Sequence, residues 1–259
     1  MKVVLLAGGF GTRISEESQN RPKPMIEIGE MPILWHIMKQ YSHYGFNEFI
    51  ICCGYKSYYI KEYFANYFLH HSDVTFDFTS GKNEMTIHNH IAEPWKVTLV
   101  DTGLNTMTGG RVKRVREYLG NETFMLTYGD GVSDVDIPAL LRCHRESGKL
   151  ATLTAYQPNN RFGVLDIDES NTIRDFREKT KADGDWINAG FMVLEPQVID
   201  FIAGDDTVLE RYPLEHTAHL GQLNAYKHTG FWQCMDTLRD KQLLEKLWAS
   251  GEAPWKVWE

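Results

Sequence analysis

The chain has 259 residues, of which 42% are hydrophobic and 24% are charged, and this composition is ordinary for a globular protein. Its 27 basic and 35 acidic residues give a net charge of −8, which argues against a general nucleic-acid or membrane-surface binder, because such proteins present a basic face. No run approaches the roughly 20 apolar residues of a membrane-spanning helix, and the length admits one large α/β domain or two small ones.

The first element is a short apolar run at residues 2–7, which predicts a buried strand. It leads directly into Gly8-Gly9-Phe10-Gly11-Thr12-Arg13. Three glycines in four positions remove side chains that would keep a phosphate away from backbone N–H groups, and Arg13 adds a cation. Further along, Pro22 and Pro24 hold Lys23 on a stiff segment, because each proline restricts its own backbone and that of its predecessor. Together these features predict a triphosphate-binding site.

Two other phosphate-binding loops do not match this stretch. The dinucleotide pattern G-x-G-x-x-G requires Gly or Ala at position 14, which is Ile14, and the Walker loop requires a Gly-Lys pair that is absent at that spacing. A tight turn between a strand and a helix would explain a lone glycine-rich loop equally well. The combination with Pro22-Lys23-Pro24 at a fixed spacing favours phosphate binding.

Helices and strands alternate over the following residues. A helix is predicted over 32–41, with Pro32 in its first turn, then a buried strand over 48–53 and an aromatic-rich helix over 58–68. The aromatic stripe of this last helix is expected to pack in the core. Strand, helix, strand and helix in succession predict a βαβ unit and a parallel sheet.

A β-hairpin interrupts this alternation. Residues 74–78 and 84–88 each alternate apolar and polar side chains around a Ser-Gly-Lys-Asn turn, and they predict a hairpin that projects from the surface. His88 and His90 would share a face of it, but no third ligand type lies at metal spacing, so zinc is not expected. A strand over 97–101 then returns to the sheet.

Two glycine-containing segments follow. Met107-Thr108-Gly109-Gly110-Arg111 precedes a predicted helix that extends to about residue 118, and a glycine-rich N-cap region explains this segment as well as ligand contact does. Residues 123–128 predict a buried strand that leads into Gly129-Asp130-Gly131. An aspartate at the carboxyl end of a parallel strand lies where α/β sheets bind ligands, although an Asx-turn is the plain alternative.

The second half alternates less regularly. Strands are predicted over 151–155, 163–167, 172–176 and 186–194. Taken alone, Glu178 and Lys179 read as two solvated charges. Near the end of the chain, Asp236 precedes a helix and is predicted by position to be its N-cap.

The cysteines and the first residues bear on the cellular compartment. Cys52, Cys53, Cys143 and Cys234 show no C-x-x-C spacing, and two of them are adjacent in an apolar run, so reduced and buried thiols are predicted. The apolar run after Lys2 is too short for a signal peptide. A cytoplasmic protein is therefore expected.

The glycine loop together with Pro22-Lys23-Pro24-Met25 resembles the first motif of the sugar-1-phosphate nucleotidylyltransferases. That family usually continues Arg-Leu-x-Pro-Leu-Thr, whereas this chain keeps the spacing but has Arg13-Ile14-Ser15-Glu16-Glu17-Ser18. The same departure is found in the branch of glucose-1-phosphate cytidylyltransferases, which residues 64–68, 93–95 and 100–103 also resemble. The resemblance spans the whole chain.

The element pattern and the resemblance together imply an α/β fold of the nucleotide-diphospho-sugar transferase type. We expect a Rossmann-like mixed, mostly parallel sheet flanked by helices, with a β-hairpin excursion. Residues 1–259 are expected to form a single nucleotidyltransferase domain, with a nucleotide-binding half at about 1–130 and a sugar-phosphate-binding half at about 131–259.

The resemblance implies that CTP and α-D-glucose 1-phosphate react to give CDP-glucose and pyrophosphate. CTP and glucose 1-phosphate are therefore the expected partners, Mg²⁺ is the expected cofactor, and the chain is expected to form a homo-oligomer. Neither nucleic acid nor a membrane is expected as a partner.

The resemblance also assigns site residues by their positions in the motifs. Catalytic roles fall to Arg13 and Lys23. The implied nucleotide-binding residues are Leu6, Ala7, Gly8, Gly9, Gly11, Thr12, Arg13, Lys23, Thr108, Gly109, Gly110, Arg111 and Asp130. The implied sugar-phosphate-binding residues are Gly163, Glu178, Lys179 and Asn188, and the implied Mg²⁺ ligands are Asp130 and Asp236.

Three alternatives remain open at this point. The first is a uridylyl- or thymidylyltransferase acting on a sugar 1-phosphate, because the base is read by hydrogen bonds that a sequence does not display. The second is a nucleotide-sugar glycosyltransferase, which would not need the triphosphate loop. The third is a non-catalytic nucleotide-sugar sensor, which should lack one of Arg13, Lys23 or Asp130, and all three are present.

Overall fold

The structure is a computed structural model, and it describes residues 1–79, 81–90, 92–158, 164–167, 173–177 and 186–259. Its strands are β1 (Val3–Leu6), β2 (Glu27–Ile28), β3 (Met31–Pro32), β4 (Glu48–Cys53), β5 (Ser72–Asp77), β6 (Glu84–His90), β7 (Lys96–Asp101), β8 (Phe124–Tyr128), β9 (Gly131–Ser133), β10 (Ala151–Tyr156), β11 (Val164–Ile167), β12 (Ile173–Arg177), β13 (Ile187–Asn188), β14 (Met192–Leu194), β15 (Leu223–His228) and β16 (Trp232–Cys234). Its α-helices are α1 (Ser15–Ser18), α2 (Ile33–His43), α3 (Ser57–Ala65), α4 (Tyr67–His70), α5 (Thr108–Arg114), α6 (Arg116–Leu119), α7 (Ile137–Ser147), α8 (Tyr212–His219) and α9 (Leu238–Ala249). Short 3₁₀ turns lie at Thr12–Ile14, Lys23–Met25 and Pro196–Phe201.

An eight-stranded sheet forms the centre of the described structure, with β13, β10, β14, β8, β1, β4 and β7 in spatial order and β15 paired to β10. Strands β7, β4, β1 and β8 are mutually parallel, whereas β14 runs antiparallel to β8 and to β10. The predicted mixed, mostly parallel sheet is confirmed. The predicted hairpin is also confirmed, because β5 and β6 pair with each other outside this sheet.

The sheet is covered on both faces, which explains why its central strands are apolar throughout. On β1, Val3 and Leu5 belong to a core shared with α2, while Val4 and Leu6 belong to a second core shared with α5 and α6. Successive side chains of a strand point to opposite faces, so four consecutive apolar residues are needed to serve both layers.

Several of the predicted boundaries are wrong, including that of the helix predicted to about residue 118, which is divided into α5 and α6 at Val115. The helix predicted over 58–68 is divided into α3 and α4 at Asn66, and its aromatic stripe is only partly in the core. Tyr67 is buried, but Tyr58, Tyr59 and Phe68 are exposed, because only one face of a surface helix meets the core. Helix α2 begins after Pro32, which lies in β3 and not in the first helical turn.

The strand predicted over 186–194 is two strands, β13 and β14, separated by a turn. Gly190 has φ +77° and Phe191 has φ +44°, and the Oδ1 atom of Asn188 accepts a hydrogen bond from the Gly190 nitrogen at 3.0 Å. A Cβ atom on Gly190 would lie 2.9 Å from Oγ1 of Thr127, so the turn requires glycine both for its conformation and for its space.

The prediction that Asp236 caps the last helix is also wrong. Thr237 is the N-cap of α9 and forms a capping box with Asp240: Asp240 N donates to Thr237 Oγ1 at 3.3 Å and Thr237 N donates to Asp240 Oδ2 at 2.9 Å. Because Thr237 already caps the start of α9, the neighbouring Asp236 carboxylate is available for other contacts.

Helices α7 and α8 and strand β15 were not predicted from the sequence. They contribute to the second half of the sheet and to the layer that covers it. All four cysteines carry free thiols. Cys52 and Cys53 are buried as predicted, whereas Cys143 and Cys234 are only partly buried. Among the described residues, no helix combines the length and the apolar character that crossing a bilayer would require.

Candidate active site

A cleft of about 560 Å³ opens at the carboxyl ends of β1 and β8. These adjacent strands mark the point where the strand order reverses: the chain runs from β1 outward through β4 and β7, then returns to β8 on the other side of β1. Ligands of α/β sheets bind in the crevice at such a reversal. The cleft is lined by Leu6, Ala7, Gly8, Gly9, Phe10, Gly11, Thr12, Arg13, Lys23, Pro24, Leu104, Asn105, Thr106, Met107, Thr108, Arg111, Tyr128, Gly129 and Asp130.

The glycines of the loop after β1 serve different purposes. A Cβ atom on Gly8 would overlap the guanidinium of Arg111, whereas a Cβ atom on Gly9 would meet nothing within 4 Å. Gly11 has φ +66°, a backbone conformation that favours glycine, and a Cβ atom there would lie 3.1 Å from Cβ of Lys23. Gly8 and Gly11 are therefore required by the loop itself, while Gly9 leaves one side of the loop open toward the cleft.

Lys23 lies at the floor of the cleft. It begins a 3₁₀ turn directly after Pro22, and its side chain is only 8% exposed. Its Nζ atom donates to Oδ2 of Asp130 at 2.6 Å and to Oδ1 of Asp236 at 2.6 Å. One ammonium group thus joins the aspartate that follows β8 to the aspartate that precedes α9.

A short antiparallel pair, β9 with β16, brings these two aspartates together. Cys234 lies opposite Gly131, and Met235 N donates to the Asp130 carbonyl oxygen at 2.8 Å. Asp130 and Asp236 therefore lie at the same end of the β9–β16 pair, with Asp236 one residue beyond Met235. Neither of these strands was predicted from the sequence, and their pairing is what brings the two carboxylates together.

Arg13 is the second cation of the site. Its Nη1 atom donates to Oδ2 of Asp236 at 2.5 Å, and its side chain is 73% exposed. Arg13 follows the glycine loop and lies at the rim of the cleft, whereas Lys23 is enclosed. An arriving phosphate can reach the Arg13 guanidinium from solvent without displacing buried groups.

The charge states of the site follow from these contacts. Burial acts to lower the pKa of Lys23, but Asp130 and Asp236 outweigh it and raise that pKa. Burial acts to raise the pKa of Asp236, but hydrogen bonds from the Cys234 thiol and Lys23, together with the Arg13 charge, lower it. Lys23 and Asp236 are therefore both charged at neutral pH, and the cluster is held by mutual attraction.

The two carboxylates suit a divalent cation that is also bound by phosphate. Within the described ranges, no group of three or more His, Cys, Asp and Glu side chains could hold a metal ion unaided. Mg²⁺ is commonly held by one or two carboxylates together with substrate phosphates. Since Asp130 and Asp236 already converge on the positive charge of Lys23, their oxygens are placed for a small cation completed by a nucleotide.

The predicted nucleotide-binding segment after β7 is only partly on the cleft. Thr108 and Arg111 line the cleft, but Gly109 and Gly110 face away from it. Cβ atoms on these glycines would lie 2.7 Å from the Thr207 carbonyl oxygen and 2.6 Å from Cα of Asp205. Packing against residues 205–207 therefore explains both glycines, and contact of the segment with a base remains a prediction.

Arg111 is a buried residue that supports the wall of the cleft. Its guanidinium donates to five oxygen atoms, and burial lowers its pKa. The acceptors are the carbonyl oxygens of Gly8 (3.0 Å), Cys53 (3.3 Å), Gly103 (2.8 Å) and Leu104 (3.3 Å) and the hydroxyl of Thr102 (2.8 Å). Because one of these acceptors is in the glycine loop, Arg111 fixes the loop position from behind.

The sugar side of the site is described only in part. Asn188 is held at the end of β13, and its Nδ2 atom donates to the hydroxyl of Tyr128 at 3.2 Å. Gly163, Glu178 and Lys179 lie outside the described residues, so their assigned roles remain predictions. Tyr128 and Phe10 line the cleft without having been predicted, although their positions beside Gly129-Asp130 and within the glycine loop could have indicated them.

The sequence of the chain is similar to those of known proteins. The family model described as nucleotidyl transferase matches residues 2–233. The chain therefore belongs to the nucleotidyl transferase family. A glucose-1-phosphate cytidylyltransferase of Salmonella typhi is 60% identical over 260 residues, covering all of both chains. A UTP–glucose-1-phosphate uridylyltransferase of Synechocystis is 27% identical over 78% of this chain and 51% of its own.

Solved structures show the same fold at lower identity. A UDP-glucose pyrophosphorylase complexed with UDP-glucose superposes with a TM-score of 0.69 at 16% identity, covering 96% of this chain and 98% of its own. HddC from Yersinia pseudotuberculosis superposes with a TM-score of 0.65 at 21% identity, covering 95% and 99%. Both confirm the predicted fold type.

Proposed function

We propose that the protein transfers a cytidylyl group from CTP to α-D-glucose 1-phosphate, giving CDP-glucose and pyrophosphate. The observation that carries the chemistry is the convergence of Lys23, Asp130 and Asp236 beside a glycine loop at the sheet's reversal point. The choice of CTP and glucose 1-phosphate is supported by 60% identity over the whole chain to an enzyme named for that reaction.

The reaction is a substitution at the α-phosphorus of CTP. An oxygen of glucose 1-phosphate forms a bond to that phosphorus, the bond to the bridging oxygen of the β-phosphate breaks, and pyrophosphate leaves with the electron pair. Because the second pKa of a phosphate monoester is about 6, the attacking group is already a dianion at neutral pH. A general base is unnecessary, and the protein has to position the reactants and neutralise charge.

The described residues divide this task between the rim and the floor of the cleft. The backbone of residues 8–11 and the Arg13 guanidinium bind the β- and γ-phosphates, because they lie at the open side. Lys23 stabilises the charge that builds on the α-phosphate oxygens, and its pairing with Asp130 and Asp236 holds it in place before the nucleotide arrives.

Asp130 and Asp236 would hold Mg²⁺. When bound, the ion supplies charge neutralisation at the phosphate oxygens. On the sugar side, Asn188 lines the sugar pocket, Lys179 binds the sugar phosphate and Glu178 binds a sugar hydroxyl, as the family resemblance implies. Gly163 belongs to the same sugar-phosphate site. Residues 1–259 act as one nucleotidyltransferase domain, which is supported by a central sheet that takes strands from both halves of the chain.

The test is pyrophosphate release by the purified protein with CTP, UTP, dTTP, GTP and ATP, each combined with several sugar 1-phosphates. We expect CTP with glucose 1-phosphate to give the highest kcat/KM. Lys23→Met, purified in parallel, controls for contaminating activity. A wide preference for UTP or dTTP would overturn the cytidylyl assignment, and the absence of pyrophosphate release with any pair would overturn the transferase assignment.

Self-association of the chain belongs to the same proposal. The hairpin of β5 and β6 exposes four large apolar side chains, those of Phe76, Phe78, Met85 and Ile87. A two-stranded hairpin is marginally stable alone, and exposed apolar clusters mark interaction surfaces. We assign this hairpin to the contact between copies in a homo-oligomer.

A further inference from the structure

Glu210 lies behind the cleft wall and joins its two sides. One carboxylate oxygen, Oε2, accepts a hydrogen bond from the Thr108 hydroxyl at 2.6 Å, and the other, Oε1, accepts one from the Tyr128 hydroxyl at 2.5 Å. Tyr128 in turn accepts a hydrogen bond from Nδ2 of Asn188 at 3.2 Å. Thr108 and Tyr128 line the cleft, but Glu210 does not.

The Glu210 carboxylate sets the direction of the hydrogen bonds in this network. An ionised carboxylate only accepts, so the hydroxyl hydrogens of Thr108 and Tyr128 both point to Glu210. Thr108 Oγ1 also accepts from the Leu209 nitrogen at 2.9 Å. With their hydrogens committed, both hydroxyls can act toward a ligand only as acceptors, and neither can rotate without breaking a bond to a charged group.

Glu210 is brought to this position by a segment that packs tightly on the start of α5. Met107 N donates to the Asp205 carbonyl oxygen at 2.8 Å, and Gly110 N donates to the Thr207 carbonyl oxygen at 3.2 Å. Gly109 and Gly110 leave no room for Cβ atoms against this segment. Because Gly109 and Gly110 have no side chains, the segment that ends in Glu210 can pack closely against the start of α5.

We propose that Glu210 is a positioning residue that serves both substrate subsites of the transferase reaction. It orients Thr108 on the nucleotide side, and through Tyr128 it orients Asn188 on the sugar side. This inference rests on the proposed function, because that function identifies the two sides of the cleft. Glu210 touches neither substrate, so its removal acts through the hydroxyls it holds.

The test compares wild type with Glu210→Gln. The amide keeps the size of the side chain, but one hydroxyl then meets an NH₂ donor and the other keeps only a neutral amide oxygen, so both hydroxyls lose their charged acceptor. We expect kcat/KM for the nucleotide and for the sugar 1-phosphate each to fall on the order of tenfold, the value of one hydrogen bond to a charged group. Thr108→Val should raise mainly the KM of the nucleotide, and Tyr128→Phe mainly that of the sugar phosphate.

Glu195→Gln is the matched control. The Glu195 carboxylate accepts a hydrogen bond from the Thr123 hydroxyl at 2.8 Å, but it follows β14, where Leu194 lies opposite Phe124 at the far end of β8 from the cleft. We expect its kinetic constants to match those of wild type. If Glu210→Gln lowers only the melting temperature, or changes only one of the two KM values, the proposed joint positioning role is overturned.

Calorimetry separates this outcome from a failure of the proposed function. The pyrophosphate-release assays first identify the nucleotide and the sugar 1-phosphate that wild type prefers. Kd values are then measured for those two ligands. A different preferred nucleotide overturns the cytidylyl assignment but leaves the Glu210 comparison intact. If no pair reacts, CTP and glucose 1-phosphate are titrated directly, and unchanged Kd values for both in Glu210→Gln overturn the positioning role.

Discussion

The ammonium nitrogen of Lys23 lies 2.6 Å from Oδ2 of Asp130, although 107 residues separate them in the chain. The same nitrogen lies 2.6 Å from Oδ1 of Asp236, so a single lysine contacts both carboxylates. A nucleotide phosphate and a divalent cation would each compete for one partner of this cluster. If the two aspartates hold a metal ion, as we propose, Lys23 competes with that ion for them.

Lys23→Met should strengthen metal binding and weaken catalysis. The methionine keeps most of the side-chain stem but leaves Asp130 without the Lys23 cation and Asp236 with Arg13 alone, so the nucleotide-free protein should bind Mn²⁺ more tightly, on the order of tenfold. Turnover should fall on the order of 10²–10³, the cost of losing one preorganised charge-stabilising group. Titration calorimetry with Mn²⁺ and steady-state kinetics measure the two effects.

Lys39→Met is the control for the Mn²⁺ titration, because Lys39 pairs with Glu93 at 2.6 Å outside the cleft lining. It should leave the Mn²⁺ affinity at the wild-type value. An unchanged affinity in Lys23→Met would mean that the ammonium does not compete with the ion.

Asp130→Asn and Asp236→Asn should each weaken Mn²⁺ binding in the presence of nucleotide, and their effects should not add. If both carboxylates hold the same ion, either single substitution already removes most of the contribution of that ion to activity. The double variant should therefore be little worse than the worse single variant. A double-mutant cycle on the metal concentration that gives half-maximal activity measures this. Asp200→Asn removes an exposed carboxylate paired to Arg116 and controls for net charge. Additive effects of Asp130→Asn and Asp236→Asn would point to two separate roles.

Gly8→Ala should destabilise the protein by about 1–3 kcal/mol, as overpacking of a filled site does. The added Cβ atom would overlap the Arg111 guanidinium, which must then release some of its acceptors. Urea unfolding gives the free energy of unfolding directly. Gly9→Ala is the matched comparison for stability, since its Cβ atom would meet nothing within 4 Å; equal losses in the two variants would rule out the clash with Arg111.

The stability of the fold should depend on pH through His36. Burial lowers the pKa of His36 to about 4, against 6.5 for the unfolded chain, although hydrogen bonds to backbone carbonyl oxygens act in the opposite direction. Above pH 6.5 both states are neutral at this site. As the pH falls from 6.5 to 4, the unfolded state takes up the proton first, so stability should fall by up to about 3 kcal/mol.

The measurement is the free energy of unfolding in urea at several pH values between 7 and 4. His36→Gln cannot titrate, so it should lose less stability over this range than wild type. His43→Gln, at an exposed position, should follow the wild-type curve. Parallel curves for wild type and His36→Gln would show that His36 is not the group responsible.

Polar substitutions on the β5–β6 hairpin should reduce the molecular mass of the assembly. Phe76→Ser with Phe78→Ser removes two exposed aromatic side chains and should shift the mass measured by light scattering toward that of one chain. Leu220→Ser, which changes an exposed apolar residue in the turn after α8, is the control. A wild-type protein that is monomeric at micromolar concentration would contradict the assignment.

The sequence alone determined the parts of this protein that depend on neighbouring residues. Strand β1, the glycine loop and the proline-flanked Lys23 are contiguous, and their chemistry follows from local backbone preferences and residue types. The alternation of elements up to Tyr128 was sufficient to predict a parallel sheet, and Gly129-Asp130 at a strand end was sufficient to indicate a ligand site.

Only the tertiary structure decided which distant groups meet. Asp236 was predicted as a helix cap, but Thr237 caps the helix and the register of β9 with β16 turns Asp236 toward Lys23. Arg111 braces the glycine loop from behind, and Glu210 joins Thr108 to Tyr128. These contacts span 82 residues or more. They are set by strand register and by the packing of distant segments, which local residue patterns do not encode.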